Sequence, residues 1–311
     1  MRNETKHYNL ITILGPTATG KTHLAARLAS VINGEIISAD SRQVYRGMDI
    51  GTGKDYGDYI VDGNEIPCHL TDIEEPGKHY NVYRFQSDFI EAYKDIISRN
   101  KFPVMCGGSG LYLESVLKNY KLITVPPDKE LRQQLKGKTL DELTEILAEL
   151  KPRLHNKTDI ETERRALRAI EIEFYYKNNP ILNSDMPEIR SLNIGITVDR
   201  ETRRRRISER LKQRFEQGMA GEVRQLLNAG LTPQQLIYYG LEYKYITLYL
   251  TGELSYDEMF TKLEIAIHQF AKRQMTWFRG MTKRGISINW IDGNLSTEDK
   301  VKEILGLFNS K

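Results

Sequence analysis

Residues 9–22 read Asn-Leu-Ile-Thr-Ile-Leu-Gly-Pro-Thr-Ala-Thr-Gly-Lys-Thr, and no other stretch constrains the fold of this 311-residue chain so strongly. A short apolar strand runs into a G-x-x-x-x-G-K-[ST] loop. A helix follows, with Leu24, Leu28 and Val31 at spacings of four and three. Strand, loop and helix in that order predict an α/β core of the P-loop type. The chemistry follows from the residue types. Glycines let the backbone wrap a phosphate, while loop N–H groups and the helix N-terminus supply positive potential. Gly15, Pro16, Thr17, Ala18, Thr19, Gly20, Lys21 and Thr22 are therefore the candidate phosphate-binding residues, with Lys21 adding a full charge and the Thr22 hydroxyl a candidate ligand for Mg²⁺.

The same alternation continues downstream. Strands are predicted at 35–38, 66–73 and 102–106, with a helix over 82–99 that carries Phe85, Phe89 and Tyr93 on one face. The sheet should be mostly parallel. After Tyr120 the pattern changes. Pro126-Pro127 marks a break, and helical periodicity dominates 131–150 and 160–176. A further strand at 192–198, long helices over 200–217 and 255–279, an apolar segment at 286–291 and a C-terminal helix complete the chain. On this reading 1–120 is a P-loop core, 121–190 a helical insertion and 191–311 the remainder of the core. Met259, Leu263, Ala266 and Phe270 define the expected buried face of the 255–279 helix.

No apolar run is long enough to span a membrane, and the first seven residues are polar, so a cytoplasmic protein without membrane association, and monomeric, is expected. Cys68 and Cys106 have no spacing that suggests a disulfide framework or a zinc site. The formal net charge of +3 conceals an asymmetry. Residues 199–284 hold 16 Lys/Arg against 10 Asp/Glu, whereas 1–120 hold 13 against 15. A polyanionic partner suits the first of these stretches.

A phosphate loop specifies phosphate, not a reaction. The acidic residue that commonly ends a strand to hold Mg²⁺ is not evident, since the 102–106 strand runs into Gly107-Gly108-Ser109-Gly110. Asn156-Lys157-Thr158-Asp159 mimics a guanine-reading motif, but it follows a polar, proline-broken segment and is read as coincidence. Asp40, in Ser38-Ala39-Asp40-Ser41, sits past the end of the second strand, the edge where open α/β sheets bind ligands. There a carboxylate either accepts a proton or caps a helix, and the residues alone favour neither.

Four stretches together resemble the tRNA dimethylallyltransferase (tRNA isopentenyltransferase) family. They are Gly15 to Thr22; Ser38 to Ser41 with Tyr45 to Thr52; Gly107 to Tyr112; and Ala271-Lys272-Arg273-Gln274-Met275-Thr276-Trp277-Phe278-Arg279. The resemblance covers nearly the whole chain. It implies transfer of a dimethylallyl group from dimethylallyl diphosphate to the exocyclic amine of the adenine on the 3′ side of the tRNA anticodon, with the phosphate loop gripping the diphosphate. It also implies roles. Asp40 matches the general base and Arg210 an arginine that supports the diphosphate, so Asp40, Lys21 and Arg210 form the implied catalytic set. Asp40, Ser41, Arg42, Gln43 and Ser109 match tRNA-contacting positions, and Arg164, Arg165 and Arg168 are assigned to the tRNA on the inserted helices. The sequence departs from the family pattern at Ser109, where Thr is usual, at Arg164, where Gln is common, and in Gly240-Leu241-Glu242-Tyr243-Lys244.

The chemistry is consistent with those residues. Cleavage of the prenyl C–O bond builds negative charge on the bridging oxygen, which Lys21, Arg210, loop N–H groups and Mg²⁺ at Thr22 would stabilise. The adenine amine is a poor nucleophile, and Asp40 would take its proton. The run from Arg200 to Arg214 holds seven Arg and one Lys against two acids. Four consecutive arginines cannot share one helix face. Arg206 and Arg210 are expected at the diphosphate, and Arg203 and Arg204 at tRNA phosphates. The insertion would clamp the anticodon stem-loop. Tyrosines 238, 239, 243, 245 and 249 suit core packing better than base stacking. A small-metabolite kinase accounts for Lys21, Thr22 and Asp40 but not for the arginines, and a nucleic-acid-binding NTPase is the third reading.

Overall fold

The computed structural model describes residues 8–151, 160–179 and 186–310. In chain order the elements are β1 (Leu10–Leu14), α1 (Lys21–Val31), β2 (Gly34–Ser38), the hairpin β3 (Ile60–Val61) and β4 (Asn64–Glu65), β5 (Cys68–His69), α2 (Val82–Ser98), β6 (Phe102–Gly107) and α3 (Gly110–Leu117). Then come α4 (Lys129–Gln134), α5 (Leu140–Leu150), α6 (Glu163–Asn178), β7 (Ser191–Thr197), α7 (Arg200–Glu216), α8 (Met219–Asn228), α9 (Pro233–Tyr238), α10 (Leu241–Leu250), α11 (Tyr256–Lys283), β8 (Asn289–Asp292) and α12 (Thr297–Asn309).

Six strands form one parallel sheet in the order β5-β2-β6-β1-β7-β8. Every residue of β1 and β2 is buried, as expected for parallel strands covered on both faces. One apolar layer includes Leu24, Leu28, Ile36, Val104 and Ile304, from the sheet, α1 and α12. The other includes Phe85, Phe89, Leu113, Met259, Leu263 and Phe278, from α2, α3 and α11. Parallel strands point their C-terminal ends the same way, so the loops after β1, β2 and β6 meet along one edge.

Charge is buried at the opposite end of β2. Glu35 is 3% exposed and accepts from both terminal nitrogens of Arg99 and from His69 Nε2 at 2.7 Å. The Arg99 hydrogen bonds, with help from His69 and against desolvation, pull its carboxyl down to about 2.

The structure corrects several expectations. The 66–73 strand shrinks to Cys68–His69, because Leu70 (φ 64°) and Asp72 (φ 56°) turn the chain away from the sheet. The 131–150 helix is two, broken at Gly137 (φ 84°). Val31 and Phe270, expected on buried faces, are 52% and 40% exposed, and α11 buries Ile267 and Ala271 instead of Phe270. Asn156–Asp159 lies outside the described residues.

The chain divides into two compact units, Met1–Tyr120 with Met186–Lys311, and Lys121–Asp185. Residues 186–190 therefore belong to the core and not to the insertion. Asn9 Nδ2 donates to Glu188 O at 2.7 Å and Arg190 N to Asn9 Oδ1 at 2.7 Å, and Met186 is buried in the core. Within the second unit, α4, α5 and α6 pack around Leu131, Leu143, Leu147, Ala166 and Ile170. Glu171, almost fully buried there, accepts from Arg132, from Arg168 and from Asp128 N.

Candidate active site

The loop after β1 delivers Lys21 and Thr22 as the first two residues of α1. Gly20 precedes them with φ 74°, a conformation that an L side chain resists. The free N–H groups of the helix start, and the partial positive charge of its dipole, thus face the loop interior. Thr19 Oγ1 and Lys21 Nζ both donate to Pro16 O, at 2.9 and 2.7 Å, which fixes the shape of the loop. Burial pushes the Lys21 ammonium down to about 8; Arg210 acts in the same direction, while Cys106 and Asp40 oppose it.

Thr17 is where three elements meet. Arg210, in the middle of α7, donates from Nη2 to Thr17 Oγ1 at 3.2 Å. Gln274, 8% exposed on α11, accepts from Thr17 N at 2.9 Å through Oε1 and donates to Gly108 O at 3.0 Å through Nε2. Burial lowers Arg210 to about 10, with Arg214 one turn on adding to the effect and Asp55, Glu242 and Asp40 opposing it. Arg214 is 4% exposed, and its Nη2 has no hydrogen-bond partner among the described residues; Asp55 Oδ2 lies 3.7 Å away. Arg210, Arg214, Thr17 and Glu242 line one small cavity with Ile207, Leu211 and Ile267. Burial raises the Glu242 carboxyl, against the two arginines. The wall of the site facing the phosphate loop is thus strongly cationic.

Asp40 lies two residues beyond β2. Its Oδ1 accepts from Arg42 N at 2.8 Å, an Asx turn, and no helix begins there, so the helix-cap reading fails. Its charge is felt by Lys21, Arg210 and Glu242. Ser41 N donates to Ser109 Oγ at 3.1 Å, which joins the loop after β2 to the loop after β6. Gln43 accepts from Ser38 Oγ at 3.2 Å and donates to Gly53 O at 3.0 Å. The Arg42 guanidinium sits 5.0 Å from the ring centroid of Tyr238. Asp40, Ser41, Arg42, Gln43 and Ser109 therefore stand together beside the phosphate loop, as do Lys21 and Arg210.

A carboxylate from α8 holds the next stretch. Glu222 accepts from the N–H groups of Asp49, Ile50 and Gly51 at 2.8, 2.7 and 3.0 Å, and from the Tyr243 hydroxyl at 2.6 Å. Lys54, 5% exposed, adds bonds to Tyr45 O, Asp49 and Asp72.

Other expected groups lie elsewhere. Arg206 does not reach the phosphate loop; its Nη2 donates to Asn294 Oδ1 at 3.1 Å, because a helical side chain covers the turn N-terminal to its own position. Tyr239 and Tyr243 are core residues, Tyr245 and Tyr249 are partly buried against that core, and Tyr238 is 41% exposed. Arg203 has its charge disfavoured by burial and by the nearby Arg279 and Arg200. In the second unit Arg164 is exposed, Arg165 pairs with Glu161, and Arg168 is engaged by Glu171 and Val125 O. Among the described residues no cluster of three or more His, Cys, Asp or Glu could hold a metal ion, and no helix is long and apolar enough to cross a membrane. Thr22, the expected Mg²⁺ ligand, is partly exposed at the second position of α1.

The family model described as IPP transferase matches residues 43–281, and that of isopentenyl transferase matches 8–64. The chain belongs to the IPP transferase family. It is 60% identical over 294 residues to tRNA dimethylallyltransferase 2 of Bacteroides fragilis, covering 94% of this chain and 96% of that one. With tRNA dimethylallyltransferase 1 of Parabacteroides distasonis it shares 59% identity over 307 residues, 98% and 99% of the two chains. Among solved structures, the full-length tRNA isopentenylpyrophosphate transferase of Bacillus halodurans superposes with a TM-score of 0.70 at 31% identity, over 96% of this chain and 95% of that one. Within this IPP transferase site, Gln274, Glu222 and Arg214 are structural partners that sequence reasoning did not single out. Gln274 carried the one available signal, a polar residue on the buried face of a helix and inside a family-like motif.

Proposed function

We infer that the chain transfers a dimethylallyl group from dimethylallyl diphosphate to the exocyclic amine of the adenine 3′-adjacent to the tRNA anticodon, releasing diphosphate. The observation that carries this reading is the near full-length 59–60% identity to curated tRNA dimethylallyltransferases. The site supports it, because a cationic wall and a carboxylate face one loop edge. The kinase alternative accounts for neither the relatives nor the pairing of Arg210 with the buried Arg214 on α7.

In this reading the phosphate loop, residues 15–22, binds the diphosphate through backbone N–H groups, Lys21 and Arg210. As the prenyl C–O bond breaks and the C–N bond forms, the electron pair leaves with the diphosphate, where Lys21 and Arg210 meet the growing charge. The amine proton passes to the Asp40 carboxylate, a contribution of about 10²- to 10⁴-fold. Mg²⁺, when bound, would be held by the Thr22 hydroxyl and diphosphate oxygens and would add charge neutralisation. Ser41, Arg42, Gln43 and Ser109 would contact the RNA around an adenine swung out of its stack. Arg164, Arg165 and Arg168 of the helical unit are assigned to the stem-loop, with Arg168 acting from its place against Glu171. The reaction belongs in the cytoplasm with its RNA substrate, and a single chain contains every residue named.

Incubation with labelled dimethylallyl diphosphate, Mg²⁺ and unmodified tRNA tests the reading. Label should enter the tRNA. Exclusion of label while ATP is consumed would refute transfer in favour of a kinase. Asp40→Asn should abolish transfer while tRNA stays bound, and an active Asn variant would remove Asp40 from the role of base.

A further inference from the structure

The phosphate loop and the loop that carries Ser109 leave the sheet from adjacent strands, with Leu14 paired to Gly107. Parallel pairing fixes the strands, but it stops at that residue pair, and nothing in the sheet itself sets the distance between the loops beyond it. The side-chain amide of Gln274 does so. It spans them with both of its polar atoms, accepting from Thr17 N at 2.9 Å and donating to Gly108 O at 3.0 Å. The fit is close, since a Cβ on Gly108 would lie 2.5 Å from Gln274 Nε2. Gln274 is 8% exposed, and its bond to Gly108 O is buried, so losing that partner would leave a buried donor unpaired.

The two loops lead to different halves of the site. On one side, Thr17 Oγ1 receives Arg210, and the same loop runs on to Lys21. On the other, Ser109 Oγ receives Ser41 N, next to Asp40. The connection from Arg210 through Thr17, Gln274, Gly108 and Ser109 to Ser41 therefore runs from the cationic wall to the carboxylate.

We propose that Gln274 is a positioning residue that sets the register between the diphosphate half and the proton-accepting half of the site. It acts through Thr17 and Gly108 and needs no contact with either substrate. An amide suits the task because it accepts and donates at once, two atoms apart, with no charge to desolvate. The inference rests on the transferase reading above. Loss of register between two bound reactants costs rate more than binding, since reactive alignment tolerates little displacement.

Three variants test it. Gln274→Leu removes both bonds and keeps an apolar body, Gln274→Glu keeps the acceptor and loses the donor, and Gln274→Asn keeps the amide one methylene short. Each is assayed for transfer of labelled dimethylallyl groups to unmodified tRNA, with kcat normalised to the number of donor-binding sites so that unfolded protein does not count. The wild-type chain in the same assay tests the transferase reading independently: failure of the wild type refutes that reading, whereas a working wild type leaves the variants to decide on Gln274. The expected result is kcat per site lowered about 10- to 100-fold in Leu and Glu, with KM for the donor and Kd for tRNA within about threefold of wild type. The proposal is overturned if kcat per site is unchanged in the folded variants, if the loss lies in KM alone, or if none of the three folds, since the amide would then serve stability and not alignment.

Discussion

The Arg210 guanidinium donates to the Thr17 hydroxyl at 3.2 Å, across 193 positions of sequence, and this bond brings the second half of the chain onto the phosphate loop. A full charge held beside loop N–H groups is placed for an anion that gains charge during reaction. Arg210→Ala should lower kcat at saturating donor by about 10²- to 10³-fold, comparable to loss of one oxyanion donor. Arg210→Lys should recover little of it, because a compact ammonium on a flexible stem lacks the rigid planar fork that lets a guanidinium bond Thr17 with one nitrogen and face an anion with the other. Single-turnover transfer at saturating donor, with the fold checked by circular dichroism, measures both.

Lys21 is held near 8 chiefly by burial, so its charge is lost as pH rises through that value. An anionic donor binds the protonated form, and its charge raises the lysine pKa in the complex. It follows that kcat/KM for dimethylallyl diphosphate should fall above about pH 8, while kcat stays level to higher pH. Lys21→Met should be much less active and should lose this limb of the profile. An unchanged alkaline limb in the Met variant would assign it to another group.

Glu222 serves three backbone donors and a tyrosine hydroxyl with one carboxylate. Gln in its place offers one acceptor oxygen and turns an NH₂ group toward N–H groups. Glu222→Gln should therefore cost about 2 kcal/mol in thermal or chemical unfolding. Tyr243→Phe should cost less, since the carboxylate keeps its three backbone partners. Because the pinned segment runs back to Gln43 through Gly53, the KM for tRNA should rise more than that for the donor.

Arg203 and Arg204 lie on α7 near Arg200, Arg279 and His268, a cluster that like charges disfavour. Such a surplus suits RNA phosphates. Replacing both with Ala should weaken tRNA binding and flatten its dependence on log salt concentration by about one to two units, leaving donor binding nearly unchanged. Equal loss of affinity for both substrates would reject the division between Arg203/Arg204 and Arg210.

What the sequence discloses and what it conceals follow from the range of the interactions. β1, the phosphate loop and α1 are local: apolar run, glycines and helical spacing are legible in residues 9–31. Asp40 is placed by the end of a strand, and its proximity to Lys21 follows from parallel pairing. Arg206 departs from expectation because a position one turn from Arg210 identifies a helix face but not what that face meets, here Asn294. The bonds from Gln274 to Thr17 and from Glu222 to Asp49 join segments 257 and 173 positions apart, and no local pattern encodes either. Phe270 shows the converse: it satisfies the apolar periodicity of α11 yet stands in solvent beside Arg273.

The Glu35, Arg99 and His69 cluster opens β2, and Asp40 stands beyond its other end. Five residues of extended chain at about 3.3 Å each put roughly 16 Å between them. Substitutions so far apart usually combine additively. A designer seeking a hardier enzyme can therefore rework the Glu35 end, trading its charges for other buried pairs, and read the outcome as cellular abundance or melting temperature with turnover per molecule left alone.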